Sequence, residues 1–277
     1  MLSQTTVDKH IAKMFSEPSP LYEQFERDGF SGPFTLCSPK EMAEIRQRIE
    51  TQVLANDSPF DFHNGQSRHL DCKTVWELCS HPNIVERIAS ILGPNLQLWR
   101  SNFFTKEPGS KEIPWHQDRT YWPIDPMVNI TAWLAIDPAT VENSCLQFIP
   151  GSHKKALPVI DSGNGVGSTF EQMADIRGID LSSSIDMEMK PGEFCLFNET
   201  TVHRSAPNRS NRRRLALSIR VTTPRVNVKH EDIFPGHKCI LLCGEDSQGL
   251  NDMQSPPRDD PPPQKTTYRN LERRPPN

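Results

Sequence analysis

The sequence lacks any apolar run close to the roughly 20 residues that a membrane-spanning helix needs. Its first residues, MLSQTTVDKHIAKMF, lack the apolar core of a secretion signal. A formal net charge of -4, with acidic and basic residues interspersed, provides no single-sign field to recruit nucleic acid or an anionic membrane. These absences predict a cytoplasmic protein, monomeric or homodimeric, whose partner is a small molecule.

The sequence also lacks paired cysteines. Its seven cysteines are scattered, odd in number, and form no Cys-x-x-Cys pair. Neither a disulfide framework nor a thiolate zinc site is therefore indicated. We expect reduced thiols with structural roles.

Length and composition set the expected domain plan. The chain has 277 residues, enough for a substantial core, and 25 prolines crowd its loops and tail, where they lower the hydrophobic share to 35%. We predict one domain over residues 1–252, with a helical part at 1–95 and a β core at 96–245. Residues 253–277 are polar and proline-rich, which predicts a flexible tail.

Two segments of the helical part carry clear start and stop signals. Residues 38–54 begin with Ser38 and Glu41 at capping-box spacing and with Pro39 at the first helical position. The segment NIVERIASILG repeats isoleucine on one face and stops at Gly93. Both amphipathic helices need an apolar surface to cover.

From Leu96 the pattern changes to short β-rich segments separated by Pro, Gly, Asn and Ser. These segments are LQLWRSNFFT, NITAWLAID, CLQFIPGS, GEFCLFN, RLALSIRVTT and KCILLCG. Helices followed by many short strands predict a mainly β fold with flanking helices, in which the N-terminal helices pack on one sheet of an antiparallel sandwich or barrel.

Two of these strands alternate between an apolar and a mixed face. The apolar faces comprise Ile130, Ala132, Leu134, Ile136, Leu215, Leu217, Ile219 and Val221. The opposite faces comprise Asn129, Thr131, Trp133, Ala135, Arg214, Ala216, Ser218 and Arg220. A polar face on a core strand is what a barrel with a working interior requires.

The stretch PWHQDRTYWPID places His116 and Asp118 two residues apart. On a strand both side chains point the same way and Gln117 points away, so imidazole and carboxylate can converge on one ion. The pair alone is weak evidence, and a surface hydrogen-bonded pair is the alternative. His203, which follows the segment GEFCLFN, is the best candidate for a second histidine. Two histidines and one carboxylate form the facial triad of non-haem Fe(II) oxygenases.

The motifs WHQD and ENSCLQFIPGSH, together with the eleven-residue step from His203 to Arg214, resemble the phytanoyl-CoA dioxygenase family of Fe(II)/2-oxoglutarate oxygenases, which includes ectoine hydroxylases. The resemblance covers roughly residues 20–250. It implies a double-stranded β-helix (jelly-roll, cupin-like) in which His116, Asp118 and His203 hold Fe(II), with 2-oxoglutarate and O2 as cosubstrates.

The resemblance also implies a cosubstrate site. Arg214 would bind the distal carboxylate of 2-oxoglutarate through two parallel hydrogen bonds, although Arg212 and Arg213 are neighbouring candidates. Ser205 and Thr131 match positions that contact the same cosubstrate, and Trp133 would form a pocket wall. The family wording ENGC is ENSC here, so the turn at Ser144 is expected to differ slightly, with no metal ligand affected.

Six further side chains are candidates for substrate contact, with ordinary packing as an equal alternative for each. They are Arg119, Tyr121 and Trp122 at the pocket mouth, and Arg100, Asn102 and Arg220 on strands. If Arg100 or Arg220 points inward, a second cation beside Arg214 would indicate an anionic substrate.

We therefore predict an Fe(II)/2-oxoglutarate-dependent dioxygenase that hydroxylates a small polar metabolite, an amino-acid derivative or a natural-product intermediate and releases succinate and CO2. The same centre could instead desaturate, epoxidise or cyclise its substrate. Halogenation is disfavoured because Asp118 occupies the position that related halogenases leave small. A zinc hydrolase would not need Arg214, and a non-catalytic jelly-roll binding protein is the alternative of another class.

Overall fold

The computed structural model describes residues 20–59, 65–162, 172–229 and 236–264. Helices in these ranges are α1 (Pro20–Asp28), α2 (Pro39–Arg48), α3 (Lys73–Cys79) and α4 (Pro82–Leu92), with a π-helical turn at Ile49–Val53. Short 3-10 turns lie at Arg68–Leu70, Asp118–Tyr121, Ser152–Lys154 and Leu181–Ser183. Strands are β1 (Phe30–Thr35), β2 (Leu96–Lys106), β3 (Ile113–His116), β4 (Ile124–Asp125), β5 (Ile130–Ala135), β6 (Leu146–Phe148), β7 (Val159–Asp161), β8 (Gln172–Ala174), β9 (Ile185–Met187), β10 (Glu193–Asn198), β11 (His203–Ser205), β12 (Arg214–Thr222), β13 (Asn227–Val228) and β14 (Ile240–Cys243).

Two antiparallel sheets form the core of the protein. The larger sheet has the order β1-β10-β5-β12-β2-β14, and the smaller one has the order β3-β11-β6-β9. Residues of both sheets line one cavity of about 300 Å³. The predicted jelly-roll architecture with flanking helices is confirmed.

The helices cover the outer face of the larger sheet, as the sequence predicts. Ser38 and Glu41 form both bonds of the capping box at the start of α2, and α4 ends at Gly93. Helix residues Ile84 and Ile88 are fully buried in the same apolar cluster as Leu217 of β12. This apolar layer is the main hydrophobic core.

The predicted alternation of faces is also present in the larger sheet. The aliphatic residues of β5 and β12 lie in the core under the helices. Arg214, Ser218 and Arg220 of β12 and Trp133 of β5 line the cavity instead. One strand pair therefore serves the core on one side and the candidate site on the other.

The structure differs from the sequence expectation within the part that we expected to be helical. Residues 30–35 form β1, which pairs antiparallel with β10 at the edge of the larger sheet. Its sequence FSGPFT contains Gly and Pro, which suppress strand signals but are tolerated at an edge, where a ladder bond can be missing. The register shifts between Ser31 and Phe34, around the Gly-Pro pair.

The first part of the expected flexible tail is hydrogen-bonded to α3 and to Asn56, which follows the π-helical turn. Asp260 accepts a hydrogen bond from the backbone N–H of Thr74 in α3 at 2.8 Å, and the carbonyl of Pro262 accepts one from Asn56 at 3.1 Å. The side chain of Cys72 does not cap α3, so a distant carboxylate takes that role. Residues 265–277 lie outside the described ranges, as do residues 1–19 of the expected helical part.

Two further properties concern the chain as a whole. All seven cysteines are free thiols, and six of them are buried. None of the helices described is long and apolar enough to cross a bilayer.

Candidate metal and cosubstrate site

Three side chains that are far apart in sequence meet at one end of the cavity. His116 ends β3, His203 begins β11, and the two are direct partners in the antiparallel register. The strand ends at His116, and Asp118 opens a 3-10 turn, so the predicted strand does not continue through the motif. Gln117 still points away, because its amide donates to the carbonyls of Lys155 and Thr200.

The distances in this cluster suit a metal ion. Oδ1 of Asp118 lies 3.6 Å from Nε2 of His116 and 4.0 Å from Nε2 of His203. Two ligand atoms that each lie about 2.1 Å from one ion are roughly 3 to 4 Å apart for right-angled to opposed ligands. All three residues are buried, and their ligand atoms lie within 4.8 Å of one another.

Backbone carbonyls orient both imidazoles. Nδ1 of His116 lies 2.8 Å from the carbonyl oxygen of Pro114, and Nδ1 of His203 lies 2.9 Å from that of Thr201. A carbonyl only accepts, so each Nδ1 carries the proton and each Nε2 keeps its lone pair. This is the tautomer that a metal-binding imidazole requires.

The electrostatics favour a charged carboxylate at Asp118 and a neutral imidazole at His203. Burial acts to raise the pKa of Asp118, but its contacts with His116 and His203 and the positive charge of Arg220 lower it to about 2. Burial and the neighbouring His116 lower the pKa of His203 to about 4. Near neutral pH the cluster therefore offers an anionic oxygen and an imidazole lone pair.

A second polar group of the cavity centres on Arg214, which is 1% exposed. Its Nη1 donates to the carbonyl of Ser144 at 2.6 Å, and its guanidinium lies 5.0 Å from the ring centroid of Trp133. Within the described residues, Nε of Arg214 and the buried Oγ of Ser205 have no hydrogen-bond partner. A cation and a hydroxyl with unused donors form a suitable cradle for a carboxylate, so the residues fit the distal end of 2-oxoglutarate.

The neighbouring arginines are engaged elsewhere. Arg213 forms ion pairs with Asp137 at 2.8 Å and Glu50 at 2.6 Å, and Arg212 lies 3.8 Å from Glu142 on the surface. Neither lines the cavity. Of these three basic residues, Arg214 alone reaches the site.

The cavity contains most of the residues predicted for the site. Its lining includes His116, Asp118, His203, Arg214, Ser205, Trp133, Tyr121, Trp122, Arg100, Asn102 and Arg220. Thr131 and Arg119 are not brought to it. The hydroxyl of Thr131 is buried and accepts a hydrogen bond from the amide of Asn129 at 3.3 Å, and the side chain of Arg119 is exposed on the 3-10 turn.

Sequence reasoning missed several residues at the site. Gln66, Phe104, Ile113, Leu146, Phe197 and Arg204 also line the cavity. Phe104 lies on the same face of β2 as Arg100 and Asn102, so an alternation test on that strand could have found it. Gln66 precedes the strands and pairs with Asn102 through an isolated bridge, which no local pattern indicates.

A buried lysine, also missed, supports the loop beside Ser205. Lys106 ends β2 opposite Arg214, and its ammonium donates to the carbonyls of Lys111, Ser205 and Ala206 at 2.8, 3.1 and 2.7 Å. Burial and the charge of Arg214 lower the pKa of Lys106 to about 7. Lys106 thus holds the backbone that carries Ser205 into the cavity.

Ser144 takes the backbone conformation that the family wording anticipates. Its φ is +82°, a value that glycine adopts without strain and other residues rarely adopt. Its hydroxyl donates to the carbonyl of Ala206, while its own carbonyl accepts from Arg214. The departure from ENGC therefore lies in direct contact with the cosubstrate cradle.

Solved structures of other proteins resemble this one and indicate the class of proteins to which it belongs. The structure resembles the non-heme monooxygenase ThoJ (TM-score 0.73, 25% identity, 87% of this chain and 89% of that chain). It also resembles CytC3 with Fe(II) and α-ketoglutarate (TM-score 0.65, 27% identity, 87% of this chain and 98% of that chain). Together with the cluster of two histidines and one carboxylate, this likeness places the protein in the class of non-haem Fe(II)/2-oxoglutarate-dependent oxygenases.

Within that class, the chain belongs to the phytanoyl-CoA dioxygenase family, whose model matches residues 25–216. It is 30% identical over 211 residues to a probable phytanoyl-CoA dioxygenase of Caenorhabditis elegans, covering 70% of this chain and 67% of that protein. The matches span between 40% and 67% of the length of the first curated relatives. The predicted family is confirmed.

Proposed function

We propose that the protein is an Fe(II)/2-oxoglutarate-dependent dioxygenase that hydroxylates a small polar metabolite, an amino-acid derivative or a natural-product intermediate. The observation that carries the proposal is the presence in one cavity of both the His116, Asp118 and His203 cluster and the unused donors of Arg214 and Ser205. A metal site alone would suit many reactions. A metal site with a buried carboxylate cradle suits a chelating keto diacid.

With Fe(II), 2-oxoglutarate and O2 bound, the site would couple the oxidative decarboxylation of 2-oxoglutarate to succinate and CO2 with the transfer of the other oxygen atom of O2 to the substrate. The protein's own groups act by position. Asp118 and the two oriented imidazoles provide three ligand atoms and leave the other metal positions open. Arg214 would bind the distal carboxylate of 2-oxoglutarate and so orient it, and the aromatic walls would exclude water.

The same residues distinguish the proposed hydroxylase from some other reactions and classes of protein. Desaturation, epoxidation or cyclisation would use an identical centre, so the substrate decides among them. Halogenation is disfavoured because Asp118 is a carboxylate directed at the cluster. A zinc hydrolase would leave Arg214 and Ser205 without a role, and a non-catalytic binding protein would not need all five groups.

We also propose an oligomeric state, a cellular compartment and a domain boundary for the enzyme. The three candidate ligands come from one chain, so a monomer or a homodimer could work without a shared site. Seven free thiols fit a reducing compartment such as the cytoplasm. We expect one catalytic domain up to residue 252.

The test is anaerobic addition of 2-oxoglutarate to the Fe(II)-loaded protein, followed by visible spectroscopy. We expect the charge-transfer band of iron-chelated 2-oxoglutarate in the wild type, a lost band in Asp118→Ala and a band that needs far more 2-oxoglutarate in Arg214→Ala. No band in folded, iron-loaded wild type would reject the dioxygenase and favour the non-catalytic protein. A band followed by succinate release in air would support turnover.

A further inference from the structure

The cavity contains a buried cation that is neither a candidate metal ligand nor part of the 2-oxoglutarate cradle, although its charge acts on Asp118. Arg220 lies on β12 at the opposite end from Arg214, with about 20 Å between their α-carbons by strand geometry. It is 7% exposed and lines the cavity. Within the described residues its Nε has no hydrogen-bond partner. Its guanidinium lies 4.9 Å from the ring centroid of Trp122, which fixes its direction.

A second arginine stands directly across from it. Arg100 of β2 is the register partner of Arg220, and both side chains line the cavity. Two guanidinium groups at facing register positions make this face of the cavity electropositive. Asp118 is the one carboxylate among the described lining residues, and it belongs to the metal cluster.

The formal charges of the loaded site show how much positive charge is left for a substrate to neutralise. In the loaded site Fe(II) contributes +2, Asp118 -1, 2-oxoglutarate -2 and Arg214 +1, which sum to zero. Arg204 also lines the cavity, but Glu112 lies 3.9 Å from it. Arg220 then leaves one positive charge in excess at the end of the cavity away from Arg214.

We propose that Arg220, with Arg100 beside it, binds an anionic group of the substrate, such as a carboxylate, and so restricts the enzyme to anionic small molecules. This inference rests on the proposed function. The other possible source of a carboxylate is the keto-acid end of 2-oxoglutarate. That end chelates the metal, so its charge is already met, which favours the substrate.

The experiment compares matched neutral and anionic probes on the Fe(II)- and 2-oxoglutarate-loaded protein without O2. The probes are benzoate, phenylacetate and indole-3-acetate, each paired with its amide, and binding is followed by quenching of tryptophan fluorescence. We expect at least one acid to bind 10-fold or more tightly than its amide. Arg220→Met should reduce that preference to less than 3-fold, and the exposed Arg212→Met should leave it unchanged.

The charge-transfer band measured on the same samples separates the possible results. A band that forms normally, with no acid preferred over its amide in the wild type, would overturn the inference and leave the proposed function intact. Arg220→Met that weakens 2-oxoglutarate binding 10-fold while the acid preference persists would assign Arg220 to the cosubstrate and also overturn it. If Arg220→Met does not fold, Arg220→Lys should retain the preference and Arg100→Met should reduce it. Loss of the band in the wild type would reject the proposed function itself.

Discussion

Along β12, side chains that face the helices alternate with side chains that face the cavity, and all nine residues of the strand are buried. Burial of each aliphatic side chain on the helix side stabilises the fold by about 1.5–3 kcal/mol. The cavity side buries two guanidinium groups, and each has an Nε that makes no hydrogen bond within the part of the chain that the structure describes. Burying such groups costs free energy unless a ligand completes their bonding. One face is therefore built for stability and the other for ligands.

This comparison predicts that substitutions of cavity-facing residues, on β12 and elsewhere around the cavity, will have different effects from substitutions of helix-facing residues. Changes on the cavity face should reduce metal binding, cosubstrate binding or turnover while the protein stays folded. Changes on the helix face should reduce the free energy of unfolding while the affinity of the folded protein is preserved.

The largest expected effect is on the cavity side, at Asp118. Asp118→Ala removes the one carboxylate of the cluster, so we expect the protein to lose bound iron and at least about 1000-fold in turnover, roughly 4 kcal/mol. Metal content after dialysis and succinate release measure this. Asp125→Ala is the matched control, because Asp125 is exposed and pairs only with Lys229 among the described ion pairs. Full iron content in folded Asp118→Ala would show that the triad is not the metal site.

The next effect belongs to the helix side. Leu217 is fully buried in the main core, so Leu217→Ala should reduce the free energy of unfolding by about 2–5 kcal/mol. Urea unfolding measures the loss, and the exposed Leu250→Ala should change it little. The affinity of the folded variant for 2-oxoglutarate should stay within about 3-fold of wild type. A cosubstrate defect as large as its stability defect would break the separation of faces.

The sequence predicts those structural features whose signal lies within a few neighbouring residues. The alternation of Leu217 and Ser218, the capping box at Ser38 and the stop at Gly93 are each written within a few neighbouring residues, and the structure contains all three. Arg214 is indicated by the resemblance to the family, through its spacing from His203. The structure brings it to the cavity, while its role toward 2-oxoglutarate stays a prediction.

What the sequence does not predict depends on contacts between distant segments. The carboxylate of Asp260 caps α3 through Thr74, 186 residues away in the chain, so a proline-rich stretch that cannot fold alone is held by a helix. Lys106 meets the carbonyl of Ala206 across 100 residues. Such pairs have no periodicity to read, and a single buried lysine resembles a surface residue until the fold is known.

A third substitution tests the cavity face without touching the metal. Arg214→Met keeps most of the side-chain volume and removes the charge, so 2-oxoglutarate should lose about 2–3 kcal/mol of binding, or roughly 30- to 160-fold in affinity. Titration of the charge-transfer band measures it. The free energy of unfolding should hold or rise, since a buried cation is removed. An unchanged affinity would contradict the assignment of Arg214, and Arg212→Met provides the control.

The smallest effect concerns Ser144, where stability and the cosubstrate cradle meet in one residue. Its positive φ disfavours any side chain by roughly 1 kcal/mol, and its hydroxyl bond to the carbonyl of Ala206 offsets part of that cost. Ser144→Ala loses the bond and keeps the strain, so we expect a loss of about 1 kcal/mol in the free energy of unfolding.

Ser144→Gly loses the same hydrogen bond but relieves the strain, so its free energy of unfolding should lie within about 0.5 kcal/mol of wild type. Both variants keep the carbonyl that accepts from Arg214, and 2-oxoglutarate affinity should therefore change by less than about 3-fold in each. Urea unfolding of the pair isolates the backbone effect, because the lost hydroxyl is common to both. If glycine proved as destabilising as alanine, the hydroxyl rather than the backbone would be what this turn depends on, and serine would be an active support of the cavity face rather than a tolerated replacement for glycine.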